Sequence, residues 1–172
     1  MPPLPPRRKD EMMFQVDDAD RVLQFEGELL AHSSSHTQGA QRWVEFDLYR
    51  TSGGSYVVAR TGYSVLFHRK GCDVVRRGRH SPAPAATLTE DSRPCPLCSP
   101  EVSMDLANEL VYPEKPLHWA LVCKTADAAV EALAKYDSDG SRYFTHVARE
   151  LIRRASSVDS RIRTAYAVEI VA

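Results

Sequence analysis

The chain has 172 residues, with 22 Lys and Arg against 23 Asp and Glu for a formal charge of -1, and it is 43% hydrophobic and 26% charged. That length suits one main domain, the apolar content excludes general disorder, and the charge balance excludes a global field that would draw the protein to nucleic acid or to an anionic membrane. No run of about 18 apolar residues occurs and the start, MPPLPPRRKDEMM, is too polar for a secretory signal, so a cytoplasmic protein with no membrane contact is expected. In that compartment the four cysteines are read as thiols or metal ligands, because the cytosol keeps cysteines reduced.

Residues 1–12 hold four prolines followed by Arg7, Arg8 and Lys9, and are expected to form a disordered arm, since proline fixes φ and removes donors. From Arg21 the apolar period becomes that of strands. RVLQFEGELLAHSS sets Leu23, Phe25, Gly27 and Leu29 on one face, and RWVEFDLYRT sets Val44, Phe46 and Leu48 opposite Trp43, Glu45, Asp47 and Tyr49. The polar link HSSSHTQGAQ reads as a solvated hairpin loop, in which His32, His36 and the serines Ser33, Ser34 and Ser35 lack any orienting acid. After the Gly53-Gly54 turn, SYVVARTGYSVLFH reads as a third antiparallel strand.

Composition changes at His68. As far as Pro116 the chain is rich in Arg, Pro, Cys and Ser and poor in periodic apolar positions, so this insertion cannot bury a core of its own and needs another tie. Beyond it, LHWALVCK predicts a fourth strand with Leu117, Trp119, Leu121 and Cys123 on one face, and Cys123 as a buried inert thiol. Thr125 is a fair N-cap for ADAAVEALAKY. DSDG (Asp137 to Gly140) ends that helix, and reads as a plain turn because Ala148, not glutamate, stands twelfth from Asp137 as a calcium loop would require. Phe144, Val147, Leu151 and Ile152 give the next helix its apolar stripe. A short helix capped by Ser157 or Asp159 follows, then a terminal strand around Val168 and Ile170. The expected fold is α+β: a small antiparallel sheet with two or three helices on one face, formed by residues 13–67 and 117–172 and interrupted by a metal-held irregular insertion over 68–116.

The insertion carries the chemistry. Thiolate and imidazole are the ligands Zn²⁺ prefers, and a structural site closes a tetrahedron with four of them. Cys95-Pro-Leu-Cys98 lets two sulfurs from one tight turn reach the same ion, and His68-x-x-x-Cys72 offers the other two ligands from a strand end and the turn after it. The prolines Pro94, Pro96 and Pro100 exclude the helix that a redox Cys-x-x-Cys pair opens. His80 is an alternative to His68 with poorer spacing. Four protein ligands point to a closed, structural site over a catalytic one. Beside them Arg69, Lys70, Arg76, Arg77 and Arg79 form the one local basic cluster, a candidate for contact with a phosphate backbone.

VLFHRKGCDVV and RPCPLCSP resemble the zinc module of the Ada-type DNA-repair proteins, and more closely its bacterial relatives of the form His-x3-Cys…Pro-Cys-x2-Cys-x-Pro, over about residues 63–100. His68, Cys72, Pro94, Cys95, Cys98 and Pro100 carry the match. The resemblance implies a zinc ion, a nucleic-acid partner and, through Cys72, a methyl acceptor. It also implies a weakened one, because His68 stands where the repair proteins have a sulfur. Residues 25–60, with Phe25-x-Gly27-x-Leu29-Leu30-Ala31 and Tyr49-Arg50-Thr51, resemble actinobacterial proteins without assigned function. The expected function is a non-enzymatic, zinc-stabilised binding or accessory protein whose partner is protein or nucleic acid; the alternative is a DNA-directed enzyme or methyl acceptor using zinc-bound Cys72.

Overall fold

A computed structural model describes residues 11–77, 80–98 and 109–167. In chain order the elements are β1 (Met12–Asp18), β2 (Arg21–Ser34), β3 (Arg42–Thr51), β4 (Tyr56–Ser64), β5 (Leu66–Arg69), α1 (Asp73–Arg77), β6 (Ala83–Pro84), β7 (Arg93–Pro94), β8 (Leu110–Pro113) and β9 (Leu117–Cys123). They continue with α2 (Ala126–Leu133), β10 (Lys135–Tyr136), β11 (Arg142–Tyr143), α3 (His146–Ser156) and α4 (Ser160–Ala167). The fold is α+β. It divides into two compact units, one within Met1–Ser35, Val44–Thr61 and His118–Ala172, the other within His36–Trp43 and Gly62–Leu117. Among the described residues no helix is long and apolar enough to cross a membrane.

The first unit is a curled antiparallel sheet in the order β1-β2-β3-β4-β9. Alternation along the strands feeds two cores. Leu48, Tyr56, Val58 and Cys123 point to the side covered by α2, α3 and α4, where Val130, Leu151, Ile152 and Ile162 meet them. Val57, Ala59, Ala120 and Val16 point to the other side, around an aromatic group in which Phe14 lies 4.9 Å from Tyr49 and 5.8 Å from Phe25 between ring centres. The curl brings the β1–β2 turn to β9: the Ala19 amide donates to the His118 carbonyl at 3.0 Å, and the Ala120 amide to Asp18 Oδ1 at 3.1 Å. Part of the outer edge of β9 is thereby hydrogen-bonded rather than left open to pair with other chains.

Several expectations change. Strand β1 follows the predicted arm without having been foreseen, because its hairpin turns through Ala19-Asp20, with Ala19 at φ 55, where glycine or asparagine would ordinarily announce the turn. The arm itself lies outside the described residues as far as residue 10, and so does the terminal strand expected around Val168 and Ile170. A bulge between Leu29 and Ala31 reverses the face of β2, leaving Leu29 46% exposed and burying Leu30 and Ala31. Strand β2 also runs on through His32 to Ser34, so these residues are not loop: His32 Nδ1 lies 2.7 Å from Asp47 Oδ1 on the paired strand, and buried Ser33 donates to the Val147 carbonyl at 2.8 Å. In β9, Trp119 and Leu121 are exposed, while Cys123 at the end of the same row is buried in the helix-side core. DSDG joins the short β10–β11 hairpin, with Asp137 Oδ1 accepting from the Asp139 and Ser141 amides.

Gly27 shows how tightly β2 and β3 meet. It pairs with Thr51, and a Cβ built on it would sit 2.2 Å from the Arg50 carbonyl oxygen. Backbone cannot give way as a side chain tip can, so Gly27→Ala is expected to destabilise the first unit by about 1–3 kcal/mol. Urea denaturation followed through Trp119 in a Trp43→Phe background measures it. An unchanged midpoint would show that the strands separate there at little cost.

Candidate metal centre

The second unit is built on a four-stranded sheet in the order β6-β8-β5-β7, with strands of two to four residues. The strand predicted through His68 breaks at Val65: β4 ends in the first sheet and β5 belongs to this one. Two of the pairings of β5 assemble the site. Parallel pairing of Phe67 with Pro94 sets the end of β7 beside β5, and the Cys95 amide donates to the Phe67 carbonyl at 2.8 Å. Antiparallel pairing of His68 with Tyr112 brings β8 to the opposite side. Past β5 the chain reverses at Gly71, whose φ of 94 suits glycine, and delivers Cys72 to the start of α1. A second turn, closed by the Cys98 amide on the Cys95 carbonyl at 2.9 Å, presents the other two sulfurs.

His68, Cys72, Cys95 and Cys98 thus converge. All four are buried, and their ligand atoms lie within 4.8 Å of one another, close enough to hold a metal ion. His68 is 0% exposed, and its Nδ1 lies 3.6 Å from Cys72 Sγ. His80 lies outside the group; its ring stands 5.2 Å from that of His68. Cys123 belongs to the helix-side core, where burial pushes its thiol up.

Hydrogen bonds prepare the sulfurs. Arg69 and Leu97 amides donate to Cys98 and Cys95 sulfurs, both at 3.4 Å. Burial opposes ionisation of Cys72, but the Val74 amide and the bonds from Cys98, His68 and Cys95 outweigh it and bring the thiol down to about 7. Cys98 goes the other way, pushed up to about 11 chiefly by burial and further by Cys72 beside it. Among three adjacent sulfurs, one thiolate makes the next harder to form, and a cation removes that conflict by supplying the opposite charge. The donor set, soft sulfurs with one imidazole, fits a tetrahedral thiolate-binding ion.

Two residues that the sequence did not single out complete the arrangement. Glu114, immediately after β8, accepts from His68 Nε2 at 2.9 Å, although 46 residues separate them. Arg42 grips the same carboxylate through two bonds, of 2.6 and 3.2 Å. Burial works against the Glu114 carboxylate, yet Arg42, then Ser64 and His68, hold its pKa down to about 2. A carboxylate only accepts, so Nε2 carries the imidazole hydrogen and the Nδ1 lone pair faces the sulfurs. The signal available in sequence was generic: a ligand histidine ordinarily donates its other N–H to a carboxylate. Glu114→Gln is expected to weaken metal binding roughly 10–100-fold, as losses of such partners do. Competition with a chromogenic chelator measures the shift, and unchanged affinity would mean that His68 is held in place by packing alone.

The basic cluster is less uniform than its sequence. Arg69 gives its guanidinium to Glu109 at 3.0 Å, and Lys70 is exposed. Arg76 and Arg77 lie on α1, and Arg79 lies outside the described residues. Arg69, Lys70, Cys72 and Cys98 border a cleft of about 650 Å³ that Leu97, Glu109 and Tyr112 also line.

Compared with known proteins, the chain matches no family model, no curated protein and no solved structure.

Proposed function

We propose that the chain is a non-enzymatic, zinc-stabilised binding or accessory protein, with Zn²⁺ held by His68, Cys72, Cys95 and Cys98. The completeness of the ligand set carries this reading: four buried protein donors already meet the number of a closed tetrahedron, whereas a catalytic zinc keeps a position for water. The order of the ligands follows the Ada-type pattern of bacterial proteins, with His68 in place of one sulfur, and that likeness rests on the six matching residues. The partner is a protein or a nucleic acid. Anisotropy titration of the zinc-loaded protein against a labelled DNA duplex at two salt concentrations separates the two classes. Binding that weakens with salt and is lost on Lys70→Glu assigns nucleic acid. No binding at low salt assigns a protein partner. Exchangeable water on the zinc would remove the accessory reading in favour of a hydrolytic enzyme.

A second reading draws support from the cleft, which Cys72 borders together with Arg69 and Lys70. In it, zinc-bound Cys72 accepts a methyl group from a DNA phosphotriester. Incubation with methylated DNA carrying a labelled methyl group tests it: transfer that disappears in Cys72→Ser supports the acceptor, and no transfer leaves the structural site.

A further inference from the structure

The four ligands are not equivalent in what surrounds them. His68 and Cys72 come from one segment, β5 and the turn after it, while Cys95 and Cys98 come from the turn after β7. The strands joining these segments form a short parallel ladder, Leu66 with Arg93 and Phe67 with Pro94, closed by the Arg93 and Cys95 amides on the Val65 and Phe67 carbonyls, and an ion held by all four residues would add a stronger tie to it. One ligand from each segment, Cys72 and Cys98, lines the cleft. His68 and Cys95 are not among its lining residues, and His68 is fully buried. The cleft thus borders one cysteine of each segment, and the sulfurs of these two, like the other ligand atoms of the group, lie within 4.8 Å of each other.

We propose that the centre is an oxidation-sensitive tie, in which hydrogen peroxide joins Cys72 and Cys98 as a disulfide, the metal leaves, and the disulfide takes over the link between the two segments. The step balances with the peroxide as oxidant. One thiolate attacks a peroxide oxygen to give a sulfenic acid and hydroxide; the other attacks that sulfur and displaces a second hydroxide. Two thiolates, one peroxide and two protons become one disulfide and two waters, and the metal ion departs with its oxidation state unchanged. A disulfide between Cys95 and Cys98 would lie within a single turn and add no covalent link between the segments. The inference rests on the centre holding zinc, as proposed above.

Hydrogen peroxide added to the zinc-loaded protein tests it, with three readouts: zinc captured by a chromogenic chelator, disulfide mapping by non-reducing peptide mass spectrometry, and limited proteolysis. About one zinc per chain should be released, with Cys72 linked to Cys98. The second unit should stay protease-resistant, unlike chelated, reduced protein, and zinc should rebind after dithiothreitol. A Cys95–Cys98 disulfide, sulfinic acids without a disulfide, retention of zinc or loss of protease resistance overturns the proposal. Metal analysis before oxidant separates the two claims: a protein without zinc sinks the function proposed above and this inference with it, whereas zinc followed by the wrong product sinks this inference alone.

Discussion

Chelating the metal is expected to melt the second unit and leave the first folded. The reason is apolar area. The first unit buries Leu48, Tyr56, Val130, Leu151, Ile152 and Ile162 in one cluster among many more side chains. The second buries chiefly Leu66, Phe67 and Val111, and its remaining cluster is the three cysteine ligands with Val74 and Val75 against them. Small cores of that kind seldom outweigh the entropy of ordering the chain, and structural zinc contributes about 10–16 kcal/mol in small metal-folded peptides. That is as large as the whole stability of an ordinary domain, roughly 5–15 kcal/mol. Chelator, or Cys95→Ser, should therefore open the chain between about residues 62 and 117 to protease. The two tryptophans report separately, since Trp43 lies in the second unit and Trp119 in the first. In Trp119→Phe protein the fluorescence of Trp43 should change on chelation, and in Trp43→Phe protein that of Trp119 should not. Simultaneous loss of both signals would mean that the metal supports the entire fold.

Asp159→Ala is expected to cost the first unit about 2–4 kcal/mol, because a buried hydroxyl and two helix-end amides lose their acceptor while Arg50 loses one of its two carboxylates. Asp159 is 2% exposed and all its capacity is used. One oxygen accepts from Arg50 at 2.8 Å and from the Tyr56 hydroxyl at 3.0 Å; the other caps α4 by accepting from the Arg161 and Ile162 amides at 2.9 and 3.1 Å. Deleting the carboxylate leaves a buried hydroxyl and two helix-end amides without acceptors, and it leaves the guanidinium with only Glu28. Asp159→Asn should cost less, because its amide oxygen can still cap the helix. Urea denaturation through Trp119 in the Trp43→Phe background measures both. Equal midpoints for the two variants would show that the charge on Asp159, and not the cap, sets the loss.

The grouping of His68, Cys72, Cys95 and Cys98 was legible in the sequence because few residue types bind a soft cation and their spacing is local: Cys95 and Cys98 share one turn, and His68 and Cys72 span another. Glu114 and Arg42 were not, since strand pairing far from either residue brings them to His68, and no short-range pattern marks them. Two helices were legible with their caps, Thr125 for α2 and Asp159 for α4, each accepting from amides of the first turn, as Thr145 does for α3; but α1 carries no periodic signal, and Lys135-Tyr136 and Phe144, read as helical, lie in β10 and ahead of α3. Alternation gave the correct face to Phe46 and Leu48 but the wrong environment to Trp119 and Leu121, because a period of two says which side a residue faces and not whether anything covers that side. The strands of the second unit escaped notice for a related reason. Two to four residues are too few to show a period.

X-ray absorption at the zinc edge of protein purified without added metal tests the central claim most directly. A closed site formed by His68, Cys72, Cys95 and Cys98 predicts three sulfurs at about 2.3 Å and one nitrogen at about 2.0–2.1 Å, with no further ligand. Fewer than three sulfurs, an oxygen ligand exchanging with solvent, or the absence of zinc would contradict it.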